Sequence, residues 1–318
     1  MKRNIYSYSK LWMILFVLMG AACTNQVEDA IPVSGQPIEF SVQSDWKEIP
    51  NTRLNVGKTQ FGEGDKIQIF GFHKSSSGEV QKFMYCVSDP PRGQIVTFAG
   101  TNWNYSPKRF WPKEGTLDFY ASSPEYSVLY KEDKMTYEQP EFNPLGVDLL
   151  WGVSTSLDCA KKENRTNNVG ITMKHALAKV NIILDNKSWG NIGTVIVSAY
   201  KAGHFIQTKE NRIPDWEFDA DDKKDIVAVF GYNDLIRDES ATSVTVFILP
   251  DKITGFQMFD VPQGNEKAKK IDGSDEISKE IQKKTFEAGK VYKLKISKRA
   301  QKNTNSRSIA MSVRCVSE

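Results

Sequence analysis

The sequence predicts an all-β protein in which two β-sandwich domains follow one another along the chain. Short segments alternate apolar and polar side chains, which is the pattern of strands with one buried face. Proline and glycine separate these segments at short intervals and prevent a helix from continuing through them. The 318 residues exceed one typical domain, so two domains of roughly 120–150 residues each are expected.

The start of the chain predicts a signal peptide for export. A basic opening is followed by the apolar run Leu11–Met19 and by small residues that end at Cys23. This run is shorter than the roughly 20 residues that span a bilayer as a helix, and its layout is that of a secretory signal. Its ending resembles a bacterial lipoprotein signal, in which lipid is attached to the cysteine that becomes the first residue. We therefore predict residues 1–22 as a lipoprotein signal peptide and Cys23 as the lipidation site, with plain secretion and cleavage near Ala22 as the alternative.

The charge balance argues against a nucleic-acid partner. Lys2, Arg3 and Lys10 all precede Cys23, and no acidic residue does. Removing residues 1–22 therefore leaves equal numbers of basic and acidic side chains. A protein that neutralises phosphates needs a basic surface, so we expect no binding to nucleic acid.

The sequence contains no constellation typical of an enzyme. Its histidines, His73, His175 and His204, lie on three separate segments. It lacks the spacings typical of a metal site, a nucleophile elbow or a nucleotide-binding loop. An aspartate-rich run at 219–225 is expected to be a solvated turn, because it lacks the glycine and distal glutamate of a calcium loop. We therefore expect no catalytic residue, no metal and no cofactor.

The cysteines predict no disulfide framework. Besides Cys23, the chain has Cys86, Cys159 and Cys315, which are odd in number and far apart. We expect three small, mostly buried side chains at these positions.

The segment Pro37–Trp46 is predicted to be the first strand and the element around which the rest is organised. Its apolar residues Ile38, Phe40 and Val42 alternate with polar ones, so one face of the strand is expected to be buried.

The residues on either side of this strand are predicted to be exposed. Residues 23–36 are polar, with proline and glycine, as in a flexible tether that lifts a domain off a membrane. Beyond the strand, a loop carries Arg53 followed by Leu54, where a trypsin-like protease could cut. Such a cut would separate the first strand from the rest of its domain.

Further strands are predicted on both sides of a polar, charged stretch at 158–168, where we place the domain boundary. They are Phe61–Phe72 (a glycine-rich turn and a strand), Val80–Val87, Gln94–Ala99, Thr116–Ser122, Asp148–Val153, Ile171–Asp185, Asn191–Tyr200, Ile226–Phe230, Ser243–Pro250 and Val291–Ser297. Of these, Ile171–Asp185 is expected to be one long strand with a bend near His175. The first domain is thus predicted at residues 37–166 and the second at residues 167–298.

The tail, residues 299–318, ends in a second alternating strand behind a basic, polar linker. Ile309, Met311, Val313 and Cys315 share one face of Ser308–Val316. This strand is either a donor for a neighbouring molecule or the last strand of its own second domain.

Five segments follow one another in an order found in a known family. They are FGEGDKIQIFGF (61–72), TNWNYSPKRFWPKEGTLDFYASSPEY (101–126), VDLLWG (147–152), ITMKHALAKVNIILD (171–185) and TFEAGKVYKLKIS (285–297). With them the chain resembles the fimbrillin-like family, the lipoprotein precursors of type V pili in Bacteroidetes.

The resemblance implies two transthyretin-like β-sandwiches, lipidation at Cys23, transit to the outer membrane and assembly into a pilus on the cell surface. In such pilins an arginine-specific protease cuts the loop after the first strand, and a terminal segment of the neighbouring subunit replaces that strand. Arg53 occupies the position of the cut, with an ordinary surface arginine as the alternative. The implied function is a stalk or tip subunit that supports adhesion, with further subunits of the same or another kind as partners.

A monomeric surface lipoprotein that binds a glycan or a host ligand is the second function hypothesis. It predicts an exposed aromatic platform that includes Trp103 or Trp216, whereas aromatic side chains in strand patterns more often fill the core. The pilus hypothesis predicts instead a first strand that can be removed.

Overall fold

The computed structural model describes residues 31, 33–44, 61–86, 92–131, 134–141, 148–184, 192–206, 215–219, 221–230, 243–261, 267–299 and 310–317. Within these residues the protein consists mostly of β-strands, which confirms the predicted all-β class.

The first part of the chain contributes strands β1 to β12 and a short helix. The strands are β1 Val33–Pro37, β2 Phe40–Ser44, β3 Lys66–Lys74, β4 Val80–Met84, β5 Gln94–Phe98, β6 Trp103–Asn104, β7 Phe110–Pro112, β8 Thr116–Ser123, β9 Val128–Lys131, β10 Lys134–Glu138, β11 Leu150–Asp158 and β12 Val169–His175. Helix α1, Lys162–Thr166, lies between β11 and β12.

The second part contributes strands β13 to β21 and another helix. The strands are β13 Ala178–Leu184, β14 Ile192–Tyr200, β15 Ala202–Ile206, β16 Glu217–Phe218, β17 Lys223–Val229, β18 Ser243–Ile248, β19 Gly255–Asp260, β20 Val291–Arg299 and β21 Ala310–Ser317. Helix α2, Ser274–Ile281, lies between β19 and β20.

The first unit is built on a long mixed sheet. Its strand order is β2-β12-β11-β8-β3-β5-β6, with β4 also paired to β3. A separate ribbon joins β1 to β7. Side chains of the sheet and of the ribbon fill one apolar core, the first core, which includes Ile38, Phe40, Trp111 and Phe119.

Strand β3 is buried on both faces because two cores lie against it. Ile67 and Ile69 belong to the first core, whereas Phe70 and Phe72 face a second one. The sequence of β3 is accordingly almost continuously apolar instead of alternating. Gln68, a polar residue within this run, is buried and donates hydrogen bonds to Ser122 Oγ and to the Val128 carbonyl, each at 2.8 Å.

The second unit consists of two sheets that face each other. One has the order β18-β13-β20-β21 and the other β17-β14-β19. Buried and half-buried residues alternate along β14, which is the pattern of a strand with one face in a core. Ile277 and Ile281 of α2 pack into the same core.

A small sheet, β16-β15-β10-β9, connects the two units. Strand β10 of the first unit pairs antiparallel with β15 of the second, from Lys134 opposite Ile206 to Glu138 opposite Ala202. Just after β10, the buried Gln139 donates from Nε2 to the Phe247 carbonyl at 2.9 Å and accepts from the Leu249 N–H at 3.2 Å. The two units are therefore held together by a shared sheet and by buried hydrogen bonds.

The predicted long strand Ile171–Asp185 is two strands in different sheets. Strand β12 pairs with β11 and β2, whereas β13 pairs with β18 and β20. The expected bend near His175 is the point where the chain leaves one sheet and enters another. The sheets thus divide after His175 instead of at 158–168, so β12 belongs with the first unit and not with the domain predicted at residues 167–298.

The predicted flexible tether also needs correction. Strand β1, Val33–Pro37, lies almost entirely within the segment 23–36 that was predicted to be a tether, and its last residue was predicted to begin the next strand. Ile31, also in the predicted tether, is 7% exposed and packs into the first core.

Several elements of the structure were not predicted from the sequence. They include the hairpin β9–β10, strands β15 and β19, and helix α2.

One of the three cysteine expectations is wrong. Cys86 is disulfide-bonded, whereas a free, buried side chain was expected. Cys159 is free and fully buried as predicted, and burial raises the pKa of its thiol to about 12.

The turn before β8 provides a test of the packing between β3 and β8. Gly115 has a φ of +84°, and a Cβ atom there would lie 2.4 Å from the Lys74 carbonyl oxygen and 2.6 Å from His73 Nε2. Gly115→Ala is expected to lower the free energy of unfolding by about 1–3 kcal/mol more than Gly78→Ala, as measured by urea denaturation. Gly78 is the matched control because it also has a positive φ, +92°, but faces open space. Equal losses in the two variants would show that backbone strain alone matters at Gly115.

Candidate functional site

Strand β2 lies at the end of the long sheet, with β12 as its one neighbour in that sheet. The pairing is parallel, from Phe40 opposite Val169 to Ser44 opposite Met173. Within the described part of the chain, no strand pairs with the other edge of β2. A terminal strand can leave without disturbing the remaining pairings, such as that of β12 with β11.

The apolar face of β2 and of the residues before it inserts into the first core. Ile38 is fully buried and Phe40 is 3% exposed, while Val42 is half-buried and packs at the margin. The Phe40 ring lies 5.7 Å from the Tyr105 ring and meets the Phe119 ring edge-on at 5.3 Å, measured between ring centroids. Full burial of each such side chain stabilises the fold by about 1.5–3 kcal/mol.

The backbone of the bend between β1 and β2 is hydrogen-bonded to residues of other segments. The Ile38 N–H donates to the Arg109 carbonyl at 2.8 Å. The Tyr105 hydroxyl donates to the Ile38 carbonyl at 2.7 Å. One residue on, the Glu39 carbonyl accepts from the Val169 N–H at 2.7 Å. These bonds satisfy polar groups that burial of Ile38 would otherwise leave unpaired.

An ion pair covers the same bend. Lys108 Nζ lies 2.9 Å from both carboxylate oxygens of Glu39 and 4.7 Å from the centre of the Tyr105 ring. The two charged side chains are 37% and 39% exposed, so the pair contributes little to stability.

Strand β1 extends the contact to a second edge. It pairs antiparallel with β7, with Val33 opposite Pro112 and Pro37 opposite Phe110. The segment 31–44 is therefore docked on two edges, β7 and β12, with Tyr105 and Lys108 at the bend between them. We call the surface under this segment the first-strand groove.

Several predicted site residues lie outside the described residues. They are Cys23, Arg53, Leu54 and Ile309, together with Trp46 at the end of the predicted first strand.

The tail forms a strand in the second unit. Strand β21, which contains Met311, Val313 and Cys315, pairs antiparallel with β20, from Tyr292 opposite Ser317 to Arg299 opposite Ala310. This arrangement corresponds to the second of the two alternatives for the tail, the last strand of its own domain.

The described tryptophans do not form the exposed platform that the glycan hypothesis predicts. Trp103, Trp111 and Trp151 are at most 3% exposed. Trp216 is half-buried, and its indole N–H donates to the Ala176 carbonyl at 3.1 Å.

In the aspartate-rich run at 219–225, Asp219, Asp221 and Asp222 lie at the turn before β17, and Asp225 lies within β17. The Asp219 carboxylate accepts from the Asp221 N–H at 3.1 Å, and Lys201 Nζ lies 3.4 Å from the Asp222 carboxylate. Among the residues that the structure describes, no three His, Cys, Asp or Glu side chains are grouped as metal ligands would be.

A cluster of titratable side chains, separate from the first-strand groove, is buried near the connection between β12 and β13. The Asp148 carboxylate accepts from His175 Nδ1 and from the Leu149 N–H. Burial raises the pKa of Asp148, and the hydrogen bond from His175 opposes that rise. Lys179 is 3% exposed, and burial lowers its pKa to about 8, against the attraction of Asp148. Burial and the nearby Asp148 raise the pKa of Tyr137. These polar groups join the last residue of β12 to the start of the second unit.

The roles of Tyr105, Lys108 and β1 in the first-strand groove could not be predicted from the sequence. The bond from Tyr105 to Ile38 joins residues 67 positions apart, and no local pattern indicates such a contact. Strand β1, VSGQP, contains glycine and proline, which are depleted in strands.

Comparison with known proteins identifies relatives by sequence and by fold. A family model described as fimbrillin-like matches residues 52–311. No curated protein matches the sequence. A cell adhesion protein of Bacteroides uniformis has a similar structure, with a TM-score of 0.51 and 16% identity over 90% of this chain and 98% of that one. For another, of Bacteroides ovatus, the TM-score is 0.51 and the identity 11%, over 88% of this chain and 96% of that one.

No helix within the described ranges is both long and apolar enough to cross a membrane.

Proposed function

Because the chain belongs to the fimbrillin-like family, we propose that it is a pilus subunit assembled on the cell surface by exchange of its first strand. In this proposal the precursor is lipidated at Cys23 and carried to the outer membrane. A protease cuts between Arg53 and Leu54, and a segment of another subunit then replaces residues 31–44. The subunit serves in the stalk or at the tip and supports adhesion. The family is one of fimbrial proteins and not of enzymes.

The observation that carries the proposal is the position of β2. It is the terminal strand of its sheet, and its apolar face fills the first core through Ile38 and Phe40. Removal of a strand from the middle of a sheet would divide that sheet in two, whereas removal of β2 leaves β12 paired with β11.

Departure of the segment would create a strong binding site for another strand. Ile31, Ile38 and Phe40 would leave the first core, each exposing surface worth about 1.5–3 kcal/mol. The β12 edge would also lose its backbone partners, and an unpaired edge is a template for another strand. Strand addition of this kind obtains affinity from main-chain hydrogen bonds and specificity from alternating pockets.

The proposal is tested with the chain lacking residues 1–22 and an arginine-specific protease. We expect limited digestion to cut after Arg53 and leave both units folded. The cut protein should then take up a labelled synthetic peptide of residues 31–44, IPVSGQPIEFSVQS, whereas uncut protein should not, because its own strand is covalently held. Uptake is measured by fluorescence anisotropy and the cut by mass spectrometry.

Arg53→Lys is the matched control, since it keeps the charge but removes the site for this protease. Digested Arg53→Lys protein should take up no peptide. Wild-type protein that is cut after Arg53 yet neither binds the peptide nor forms oligomers would overturn assembly by strand exchange.

A further inference from the structure

We propose that the first-strand groove selects an incoming strand with an acidic residue between two apolar ones, which Lys108 binds, and that the natural partner is therefore a different subunit from this one. This inference rests on the proposed strand exchange.

The groove keeps its selective groups when the segment leaves. Tyr105, Lys108 and Arg109 all follow Arg53 in the sequence, so they remain after a cut there. The Tyr105 hydroxyl accepts from the Arg109 N–H at 3.3 Å while it donates to the Ile38 carbonyl at 2.7 Å. The direction of its O–H is thus set toward a carbonyl at the bend. This bond favours any strand that places a backbone carbonyl there, whatever its sequence.

Lys108 adds a requirement on sequence. Its ammonium group lies 2.9 Å from both carboxylate oxygens of Glu39 and 4.7 Å from the centre of the Tyr105 ring. The same Tyr105 therefore places the charge of Lys108 beside the bend. Loss of residues 31–44 removes the carboxylate but leaves the ammonium group. A charge at the margin of an interface affects the choice of partner more than total affinity, since like charges are rejected there.

The positions on either side of Glu39 require apolar side chains. Ile38 and Phe40 occupy the first core at 0% and 3% exposure. The preferred strand consequently has an apolar residue, an acidic residue and an apolar residue in sequence, as in Ile-Glu-Phe of this chain.

The chain's own tail does not provide this pattern. Its apolar residues Ile309, Met311, Val313 and Cys315 are separated by Ala310, Ser312 and Arg314. In every register that places two of these apolar residues on either side of the Glu39 position, the residue between them is Ala310, Ser312 or Arg314, so none of these registers places an acid beside Lys108. In addition, β21 is already paired with β20. The tail of a second copy of this chain is thus a poor donor, and a tail of different sequence, from another subunit, is the better match.

Three labelled peptides test the inference on protein cut after Arg53: residues 31–44, the same peptide with Glu39→Lys, and residues 308–317. We expect the unchanged 31–44 peptide to bind about fivefold more tightly than the Glu39→Lys peptide, and more tightly than the tail peptide. In Lys108→Glu protein the order of the first two should reverse. Lys113→Glu is the matched control, because Lys113 is an exposed lysine on the other side of β7 from Lys108 in the sequence. This variant should leave the order of the two peptides unchanged.

The outcomes separate this inference from the strand exchange on which it rests. If no peptide enters the cut protein, strand exchange fails and the inference with it. Equal binding of the 31–44 and Glu39→Lys peptides to wild-type protein overturns selection by Lys108 while strand exchange stands. Binding of the tail peptide as tight as that of the 31–44 peptide overturns the assignment of a different subunit. The comparison of peptides on wild-type protein needs no protein variant to fold.

Discussion

Phe40→Ala is expected to lower the free energy of unfolding by about 3–5 kcal/mol, the usual cost of removing a buried phenylalanine ring. The Phe40 ring is 3% exposed and contacts the rings of Tyr105 and Phe119. Those neighbours cannot readily move into the space, because the Tyr105 hydroxyl is bonded to the Ile38 carbonyl and Phe119 is fixed in the centre of β8. The loss is measured by urea denaturation of the chain lacking residues 1–22.

Ser41→Ala is the matched control, since Ser41 is the next residue of β2 and its side chain is exposed. We expect a change within about 0.5 kcal/mol for this variant. After a cut at Arg53, the Phe40→Ala protein should also release residues 31–44 faster than wild type does. If Phe40→Ala and Ser41→Ala had the same stability, the apolar face of β2 would not be part of the first core.

The alternating pattern of Ile38, Phe40 and Val42 was enough to predict the strand Phe40–Ser44 and the burial of Ile38 and Phe40, because period-two alternation depends only on local geometry. It did not predict that Ile38 lies in the bend between β1 and β2 and not within one strand Pro37–Trp46. The neighbour of this strand could not be predicted in the same way. Strand β2 pairs with β12, about 130 residues later, and the pairing is parallel. Which strand pairs with β2 depends on the path of the whole chain through the fold. Strand β1 was missed for a related reason, since its pairing with β7 holds a segment of low strand propensity in place.

The division of the chain into units shows where a continuous apolar pattern misleads. ITMKHALAKVNIILD alternates well enough to predict one strand, but the chain turns at Ala176–Leu177 and continues in another sheet. The polar residues of this stretch are the better indication of the break. His175 is hydrogen-bonded to Asp148, and Lys179 is attracted by its charge. Asp148 lies before β11 in the sequence, whereas His175 and Lys179 lie after it. These two residues therefore belong to a buried cluster and not to an exposed strand face. The partner of a buried charge cannot be identified from spacing alone.

Asp148→Ala is expected to lower the free energy of unfolding by about 3–5 kcal/mol, because it leaves the buried ammonium group of Lys179 without its counter-charge and the His175 ring without its hydrogen-bond partner. The Asp148 side chain is 12% exposed and is hydrogen-bonded to His175 and, at 2.7 Å, to the Leu149 N–H. Lys179 is 3% exposed, and within the described residues its ammonium group has no hydrogen-bond partner. Adding Lys179→Met should recover part of the loss, because the double variant no longer buries that cation. Asp215→Ala, at an exposed aspartate, is the control and should change little.

The pH dependence of unfolding tests the same cluster with a definite sign. The pKa of Lys179 falls from 10.5 to about 8 on folding, so the unfolded chain binds more protons between these values. Wild-type stability should therefore rise with pH across that window. Without Asp148 the pKa of Lys179 falls further, and the rise in the free energy of unfolding should begin at a lower pH.

The titration of Asp148 has the opposite sign. Burial raises the pKa of Asp148 above 3.8, so its contribution to the free energy of unfolding falls as the pH increases from that value. Asp148→Ala should remove this decrease of stability with pH. Unfolding midpoints in urea measured across pH distinguish the variants, and identical profiles for wild type and Asp148→Ala would mean that Asp148 and Lys179 do not interact in the folded protein.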